Sequence, residues 1–365
     1  MKSISVNLKT NPYNIYIGRD IIKKVPSDIK KLNLGNYGII ITSSKVYSLY
    51  KTLINSTFKR QEYKIIQVAD GEKAKSKKWL FEVIDKIIEA DGWNKKLFIV
   101  CLGGGTVGDL GGFSASIYKR GIPCVQIPTT LLSQIDASIG GKTAIDLPKA
   151  KNVLGTFFQP KAVFIDPCFL STLPFKEIKE GLAEAIKYAI IKDEKFFYFL
   201  QNNRENIIKL EPSCILKIIS VCAGIKANIV EEDEKESKGI RTILNFGHTF
   251  AHALESSSRY NKISHGRAVS LGMVYAAQLS FLLKKCGRKD LRELIHILNL
   301  FSLPTKIKFD PIKVYESLIY DKKFISGKIR MVLLDKIGKA EVVERLKPEK
   351  IKEILKDFSS SFIDK

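Results

Sequence analysis

The sequence predicts an N-terminal α/β domain with a parallel β-sheet, followed by a mainly α-helical C-terminal domain. Three observations lead to this prediction. Short β-branched runs alternate with helical patterns in the first half, the densest glycine stretch directly follows one such run, and long helical periodicities dominate from Phe175 onward. The chain has 365 residues, more than one typical domain contains.

The first half alternates predicted strands with helical segments. Ser76 to Ala90 places Leu80, Val83, Ile84, Ile87 and Ile88 at helical spacing behind a serine cap. This alternation is typical of a parallel sheet with crossover helices. The predicted strands are Tyr37 to Thr42, Lys64 to Val68, Leu97 to Leu102, Cys124 to Ile127 and Ala162 to Ile165.

Helical patterns dominate the second half. The apolar residues from Ile178 to Ile190 form one helical stripe, and Ala268 to Leu283 is apolar enough for a core helix. Ile329 to Leu334 and Ala340 to Val343 predict a hairpin, and a final helix should begin near Pro348. We place the domain boundary where the pattern changes, which gives domains 1–174 and 175–365.

Composition favours a soluble globular protein, because 45% of the residues are hydrophobic and 27% are charged. No uninterrupted apolar run reaches membrane-spanning length, and the first ten residues alternate instead of forming a secretory segment. We therefore expect a cytoplasmic protein with no membrane partner.

The formal net charge of +22 creates a field that attracts anionic partners. Such a field could support loose nucleic-acid binding. The lysines are spread along the whole chain, however, and no basic segment carries interleaved aromatic residues. Nucleic-acid binding is therefore only a minor alternative, and we expect no nucleic-acid partner.

A glycine-dense stretch from Gly103 to Gly112 directly follows the strand predicted at Leu97 to Leu102. Glycines in this position let the backbone approach a phosphate group and direct amide N–H groups at it, with a helix N-terminus behind. The stretch favours phosphate or dinucleotide contact. The alternative is a tight strand-to-helix connection.

A second polar group follows the strand predicted at Cys124 to Ile127. Hydroxyls, lysines and an amide suit an anionic or polyhydroxylated ligand, whereas the alternative is a loop with solvated charges. The group comprises Thr129, Thr130, Asp136, Gly140, Gly141, Lys142, Thr143, Asp146, Lys151 and Asn152.

Three of the four histidines, His248, His252 and His265, lie close together in the sequence. On a helix, His248, His252 and Glu255 share one face, and this scarce residue type indicates a metal site or a proton-transfer role. The alternative is a polar stripe facing water. Spacing alone leaves open whether His252 or His265 joins His248 at a metal, and which carboxylate completes the set. Thr249 stands where a metalloprotease of this spacing has its glutamate, which argues against a peptidase.

Glu180, Glu184 and Lys187 lie opposite the apolar stripe of their predicted helix. Without further context, Glu184 and Lys187 are best explained as a surface ion pair at i, i+3. Arg241 and Asn245 are of interest because they lie one turn apart, directly ahead of His248.

Five ordered segments together resemble the 3-dehydroquinate synthases of the sugar-phosphate cyclase family, and the resemblance extends through nearly the full chain. It implies an N-terminal NAD-binding domain and a C-terminal helical domain that holds most of the metal and substrate groups. It assigns a Zn²⁺ or Co²⁺ ion to Glu184, His248 and His265. The segments are GGGTVGDLGGF from Gly103, RGIP-x-VQIPTTLLSQIDASIGGKTAID from Arg120, KEGLAEAIKYA from Lys179, LNFGHTFAHALE from Leu244 and HGRAV from His265.

The resemblance also implies which residues bind NAD and substrate. For NAD it points to Asp70, Glu72, Lys75, Gly104, Gly105, Thr106, Val107, Gly108, Asp109, Thr129, Thr130, Lys142, Lys151, Phe169, Leu170, Ser171 and Thr172. For substrate binding and catalysis it points to Arg120, Lys142, Asn152, Lys187, Lys226, Arg241, Asn245 and His252, and to one of Lys322 or Lys323.

The chain departs from the family pattern at three places. Ala251 replaces a usual glycine, Arg267 replaces a usual glutamate, and the segment from Glu231 to Arg241 is one residue longer than the common spacing. None of the three removes an implied metal ligand.

The implied reaction converts 3-deoxy-arabino-heptulosonate 7-phosphate to 3-dehydroquinate and phosphate, in the shikimate pathway of aromatic amino acid biosynthesis. The family carries it out by transient oxidation with NAD, phosphate elimination, re-reduction and intramolecular aldol closure, as a carbon–oxygen lyase. The expected partners are a small anionic sugar phosphate and a second copy of the chain in a homodimer. The alternatives are another sugar-phosphate cyclase and a metal-dependent NAD polyol dehydrogenase.

Overall fold

The computed structural model describes residues 1–148, 150–257, 263–320, 324–325, 328–346 and 348–360. The chain divides into two compact units. The first comprises Met1–Ile178 and Ile215–Lys235, and the second comprises Lys179–Cys214 and Glu236–Lys365. The predicted boundary between residues 174 and 175 stays a prediction.

The first half of the chain contains nine strands and four longer helices among the described residues. These elements are β1 (Lys2–Val6), β2 (Tyr13–Ile17), α1 (Val25–Lys31), β3 (Tyr37–Ser43), α2 (Ser44–Thr57), β4 (Tyr63–Val68), α3 (Lys77–Ala90), β5 (Leu97–Gly103), α4 (Gly105–Ile117), β6 (Cys124–Pro128), β7 (Lys142–Leu147), β8 (Ala150–Phe157) and β9 (Ala162–Ile165). The five strands and the helix predicted in this half are confirmed.

Seven of the strands form one sheet with the order β1-β2-β9-β6-β5-β3-β4. All neighbours in it pair in parallel except β1 and β2. Alternate residues of β3 face opposite sides, so Ile39 and Ile41 pack with α3 and α4 residues, while Ile40 packs in the other cluster with Ile54 of α2. Helices on both faces therefore bury the sheet, and the predicted fold class is confirmed.

The carboxyl ends of the parallel strands meet at one edge of this sheet. The chain moves from β3 to β4 on one side and from β5 to β6 on the other, so its direction along the sheet reverses beside β3 and β5. Ligands of open α/β sheets bind outside the carboxyl ends of the strands at such a reversal. The glycine-dense stretch lies there, because β5 ends at Gly103 and α4 begins at Gly105.

The polar group after β6 forms ordered structure. Ser133–Ala137 forms one π-helical turn, and β7 and β8 form a separate antiparallel hairpin. This hairpin was not predicted, and neither was the β1–β2 hairpin. The β7–β8 hairpin carries Lys142, Lys151 and Asn152.

The second half is mainly helical. Its elements are α5 (Phe175–Lys192), α6 (Glu194–Asn202), α7 (Arg204–Ile208), α8 (Pro212–Glu232), α9 (His248–Ser257), α10 (His265–Leu282), α11 (Arg288–Leu300), α12 (Pro311–Tyr320), β10 (Phe324–Ile325), β11 (Lys328–Lys336), β12 (Lys339–Leu346) and α13 (Pro348–Ser360). The predicted core helix, hairpin and final helix correspond to α10, β11–β12 and α13 and are confirmed.

Among the described residues, α8 is the helix long and apolar enough to cross a membrane by length and composition. Its most apolar window is 56% buried inside the protein. A mostly buried core helix of a soluble protein has the same properties, so this helix is only weak grounds for a membrane span.

Candidate active site

Three helices of the second unit bring one carboxylate and two imidazoles together. Glu184 lies in the middle of α5, His248 is the first residue of α9, and His265 is the first residue of α10. Their ligand atoms all lie within 4.8 Å of one another. The structure thus groups His265, rather than His252, with His248 and Glu184.

Glu184 is completely buried among cationic and imidazole groups. Its Oε2 lies 2.5 Å from Nζ of Lys187, and its Oε1 lies 3.2 Å from Nε2 of His248 and 3.3 Å from Nε2 of His265. Burial alone would raise the pKa of this carboxyl, but Lys187 and His248 hold it well below its usual range. The expectation of a surface ion pair between Glu184 and Lys187 is therefore wrong, because both side chains are buried.

The two histidine rings are oriented by their other nitrogen atoms. Nδ1 of His248 lies 3.2 Å from the carbonyl oxygen of Phe246, and Nδ1 of His265 lies 3.4 Å from Oε1 of Glu255. Both oxygens accept hydrogen bonds, so they favour a proton on Nδ1 and leave the Nε2 lone pair for a metal. Carboxylate and carbonyl partners of this kind commonly orient histidine ligands.

The pKa values of the two histidines move in opposite directions. Burial of His265 would lower its pKa, but its contacts with Glu184 and Glu255 raise that pKa to about 10. The pKa of His248 is lowered, chiefly by burial and despite Glu184. The electrostatic surroundings of the two rings are thus unlike, although both face the same carboxylate.

A close backbone contact fixes the start of α9. Gly247 has φ +78°, and a Cβ at this position would lie 2.7 Å from the backbone nitrogen of Met273 in α10. A Cβ on Gly272 would lie 2.0 Å from the carbonyl oxygen of Gly247. Only glycines permit this approach, which places His248 beside α10.

The donor set of the three residues fits a Zn²⁺ or Co²⁺ ion. Two imidazoles and one carboxylate are a common set of three protein ligands at a catalytic zinc, which keeps another position open for water or substrate. The orientation of both Nε2 atoms toward the buried carboxylate agrees with that use.

Other predicted substrate residues of the second unit lie on two of these helices or directly before one of them. Lys187 is on α5, one turn from Glu184, and His252 is exposed on α9 with its ring centroid 5.7 Å from that of His248. Arg241 and Asn245 occupy the short helix Ile240–Asn245 directly before α9. The Arg241 side chain is 1% exposed, and its Nε lies 3.6 Å from Oε1 of Glu236.

In the first unit, Lys75 joins predicted cofactor and substrate residues. Its Nζ lies 2.7 Å from Oδ2 of Asp109 and donates a hydrogen bond to Oδ1 of Asn152. The backbone N–H of Asn152 donates to Oδ1 of Asp146 at 2.7 Å, and that of Asp146 donates to the carbonyl of Lys75 at 2.8 Å. Three segments that are distant in sequence therefore meet around one ammonium group.

The remaining predicted cofactor residues mostly follow the carboxyl ends of parallel strands. Thr106 donates a hydrogen bond to Glu72 at 3.1 Å, and Asp70 accepts one from the backbone of Lys45 at 2.8 Å. Gly104 caps α4 without a side chain, and Val107 is a buried residue in the first turn of that helix. Gly105 and Gly108 lie in the first two turns of α4, Thr129 and Thr130 directly follow β6, and Phe169, Leu170, Ser171 and Thr172 lie in the short helix after β9.

The other predicted substrate residues of the first unit differ in exposure. Lys226 of α8 is 6% exposed, and its ammonium group contacts the carboxylate and the carbonyl of Asp136. Arg120 and Lys142 are exposed, and so is Lys151, which the family resemblance assigns to NAD binding. Arg120 has φ +63° between Lys119 and Gly121, which also have positive φ. Three such residues in succession are unusual and indicate a specialised loop.

Lys322 and Lys323, one of which the family resemblance implies in substrate binding, lie outside the described residues.

The sequence patterns assign no role to several residues that contact the predicted site, among them Glu255, Asp136 and Tyr50. Glu255 lies on the predicted histidine face and Asp136 in the polar group after β6, but neither pattern gives the residue a role. Tyr50 belongs to none of the predicted motifs, although its hydroxyl lies 2.5 Å from Oγ1 of Thr172 and donates to the carbonyl of Phe169 at 3.1 Å. The i, i+3 spacing of His252 and Glu255 was the available signal for Glu255. Nothing in the local sequence pattern points to Tyr50.

Comparison with known proteins gives matches over most of the chain. A family model described as 3-dehydroquinate synthase N-terminal matches residues 65–180, and one described as 3-dehydroquinate synthase C-terminal matches residues 181–324. The chain is 39% identical over 361 residues to the 3-dehydroquinate synthase of Thermodesulfovibrio yellowstonii, a match covering 98% of this chain and 100% of that protein.

Two solved structures are similar over nearly the whole chain. A 2-deoxy-scyllo-inosose synthase complexed with carbaglucose-6-phosphate, NAD+ and Co2+ aligns with a TM-score of 0.87 at 25% identity, covering 98% of this chain and 100% of that one. A 2-epi-5-epi-valiolone synthase from Streptomyces hygroscopicus with NAD+ and Zn2+ bound aligns with a TM-score of 0.86 at 26% identity, covering 97% and 99%. The relative from Thermodesulfovibrio yellowstonii is 39% identical over 98% of this chain, and the two family models together match residues 65–324. The chain therefore belongs to the 3-dehydroquinate synthase family.

Proposed function

We propose that this chain converts 3-deoxy-arabino-heptulosonate 7-phosphate to 3-dehydroquinate and inorganic phosphate, as an NAD- and metal-dependent lyase. The single observation that carries the proposal beyond family membership is the cluster of Glu184, His248 and His265, with both Nε2 atoms directed at one buried carboxylate. A small anionic sugar phosphate as substrate agrees with the net charge of +22.

Glu184, His248 and His265 would hold a Zn²⁺ or Co²⁺ ion. The ion, when bound, supplies a Lewis acid that lowers the pKa of a substrate hydroxyl and polarises a carbonyl. Lys187 keeps Glu184 ionised through the 2.5 Å contact, so the carboxylate is available as a ligand. Its ammonium group also offers N–H donors for a substrate oxygen.

The residues at the carboxyl edge of the sheet would hold NAD. When bound, NAD supplies a hydride acceptor that recovers its oxidised form within one turnover, so no net redox change results. Gly104 leaves the first turn of α4 without a side-chain cap, and its small size lets a pyrophosphate approach the free N–H groups there. Side-chain contacts of Lys75 with Asp109 and of Thr106 with Glu72 connect the segments beside this turn.

Cationic side chains suit the two anionic groups of the substrate. Arg120 and Arg241 offer planar forks for carboxylate or phosphate oxygens, and Lys142 and Lys226 offer point charges. Asn152 and Asn245 can hydrogen-bond hydroxyls. His252 is exposed one turn from His248 and would move a proton to or from substrate or solvent.

The decisive experiment supplies the heptulosonate phosphate with substoichiometric NAD and measures phosphate release alongside dehydroquinate. We expect many turnovers per NAD. Stoichiometric accumulation of NADH would instead indicate a polyol dehydrogenase, and turnover of a different sugar phosphate alone would indicate another cyclase.

The metal role is tested by His248→Ala. This variant should lose bound metal and activity together, because one of three ligands is gone, and metal content and turnover are measured on the same preparation. Full turnover in chelator-treated wild-type protein would refute the metal role.

Lys187→Met should retain NAD binding but slow turnover, and unaltered turnover would remove Lys187 from the site.

The proposal includes a homodimer in the cytoplasm. Sedimentation equilibrium measures the mass of the assembly, and a monomeric mass at micromolar concentration would contradict the homodimer.

A further inference from the structure

We propose that Glu180 is a positioning residue for His265, because its carboxylate holds the first turn of α10 in place. This inference deepens the proposed function and rests on the metal role of Glu184, His248 and His265. The sequence pattern alone shows Glu180 only as a polar residue opposite the apolar stripe of α5.

The carboxylate of Glu180 accepts hydrogen bonds from the residues directly before and after His265 in the sequence. Its Oε2 accepts a hydrogen bond from the backbone N–H of Gly266 at 2.5 Å, and its Oε1 accepts one from the Ser264 hydroxyl at 2.6 Å. His265, between these two donors, is therefore restrained at both neighbouring residues.

This arrangement replaces the usual cap of a helix. The first N–H groups of a helix have no partner within it, and a serine at the N-cap position normally accepts from one of them. Ser264 is the N-cap of α10, but its side chain makes no such hydrogen bond. Glu180 from α5 supplies the acceptor instead, and its negative charge also suits the positive end of the helix dipole.

Backbone packing shows how closely α10 approaches α5 at this point. A Cβ on Gly266 would lie 2.7 Å from Cα of Glu180 and 3.0 Å from its carbonyl oxygen. A larger residue at position 266 would have to push the first turn of α10 away from α5. His265 would move with it, and so would its Nε2 atom, which lies 3.3 Å from Oε1 of Glu184.

One face of α5 therefore serves two purposes. Glu180 and Glu184 are four residues apart and point the same way from the helix. Glu184 offers a metal ligand, while Glu180 fixes the backbone around His265, which offers a second metal ligand. Glu255 separately holds the His265 ring at Nδ1. Metal sites tolerate ligand displacements of only about 0.2 Å, so backbone and ring must both be held.

The test uses full-length protein and Co²⁺ as the probe. The Co²⁺ dissociation constant is measured by competition with a chelator, and the visible absorption spectrum of bound Co²⁺ reports ligand geometry. We expect Glu180→Ala to weaken Co²⁺ binding about 10- to 100-fold and to alter the spectrum, as loss of an outer partner of a metal ligand does. Glu180→Gln should recover most of the affinity, because its amide oxygen still accepts from Gly266.

The matched control is Glu177→Ala, which removes a carboxylate one turn earlier on α5 and should leave both readouts unchanged. Gly266→Ala keeps Glu180 but displaces the first turn of α10, so it should reproduce the Glu180→Ala result. Far-UV circular dichroism checks that each variant is folded.

Wild-type Co²⁺ affinity and spectrum in Glu180→Ala would overturn the proposal. If that variant does not fold, the same wild-type values in Gly266→Ala would overturn it. The proposed function fails separately: wild-type protein that binds Co²⁺ but does not turn over the heptulosonate phosphate refutes the activity and leaves the positioning role intact. Wild-type protein that binds no Co²⁺ refutes both.

Discussion

Lys75 shows how a single charged side chain can connect several segments. It is 5% exposed, and Asp109 and Asn152 accept its N–H groups. Burial alone would lower the pKa of the ammonium group, but Asp109 outweighs that effect and raises it. Lys75 is therefore charged at neutral pH, and removing it would leave Asp109 as a mostly buried carboxylate without its cation.

We expect Lys75→Met to lower the free energy of unfolding by about 3 kcal/mol, because breaking a buried pair leaves an uncompensated charge. Urea denaturation of the protein without added ligands measures this change. In the double variant Lys75→Met, Asp109→Asn, part of the stability should return, since neither charge is left alone.

The matched control is Lys78→Met. Lys78 is 77% exposed and lies 3.8 Å from Glu82, so this substitution should change stability by less than about 0.5 kcal/mol. Equal effects of the two lysine substitutions would contradict the buried ion pair at Lys75.

Whether a charged residue is buried in an ion pair depends on groups that are distant in sequence, so local sequence patterns do not predict it. Glu184 and Lys187 have the spacing of a solvated helical pair, and nothing local distinguishes them from Lys78 and Glu82. Helical spacing placed His248, His252 and Glu255 on one face, but it could not show that His265 comes beside Glu255 from another helix. Only the family resemblance selects Glu184 and His265 as the ligands that join His248.

At the scale of elements, the β11–β12 hairpin supports the end of α5. The turn residue Gly338 has φ +86°, and its N–H donates to the carbonyl of Ile190 at 2.9 Å. This carbonyl is in the last turn of α5, where the helix has no donor of its own. A Cβ on Gly338 would lie 2.7 Å from the backbone nitrogen of Glu194.

Gly338→Ala should therefore destabilise the protein by about 2 to 4 kcal/mol, because the backbone conformation is unfavourable for alanine and the methyl group has no space. The denaturation midpoint in urea measures the loss. Gly92→Ala is the control, since the nearest atoms to its Cβ would be side-chain atoms at 3.7 Å and its φ is not in the left-handed region. A Gly338→Ala midpoint equal to that of Gly92→Ala would rule out the tight contact.

Sequence patterns predicted the buried elements better than the exposed ones. β5 is buried along its whole length and its apolar run is continuous, so it was predicted correctly. Almost every residue of β8 is exposed, including Val153, Leu154 and Phe157. A strand exposed on both faces has no hydrophobic alternation, and the β7–β8 hairpin therefore escaped prediction.

At the scale of the whole molecule, the first unit is built from two separate stretches of chain. Residues 215–235 contact the earlier stretch through several polar groups. The backbone N–H of Asn7 donates to Glu231 at 2.5 Å, Gln159 donates to Glu234 at 3.2 Å, and Lys226 contacts Asp136. The apolar side of the same helix is buried, including Ile218, Ile219 and Val230.

A fragment of residues 1–178 should consequently lack cooperative structure, because it exposes the surface that residues 215–235 cover. A fragment of residues 1–235 should unfold cooperatively on heating. Circular dichroism melting curves distinguish the two. A sharp transition in the shorter fragment would show that the first stretch is complete by itself.

This discontinuity also determines when the first unit is completed during translation. At about 5–20 residues per second, the ribosome needs roughly 3 to 11 seconds to add the 57 residues from 179 to 235. During that interval every strand of the sheet has been translated, but residues 215–235 of the same unit have not. Binding of a chaperone to the emerging chain would be most valuable in these seconds, before translation delivers the missing piece.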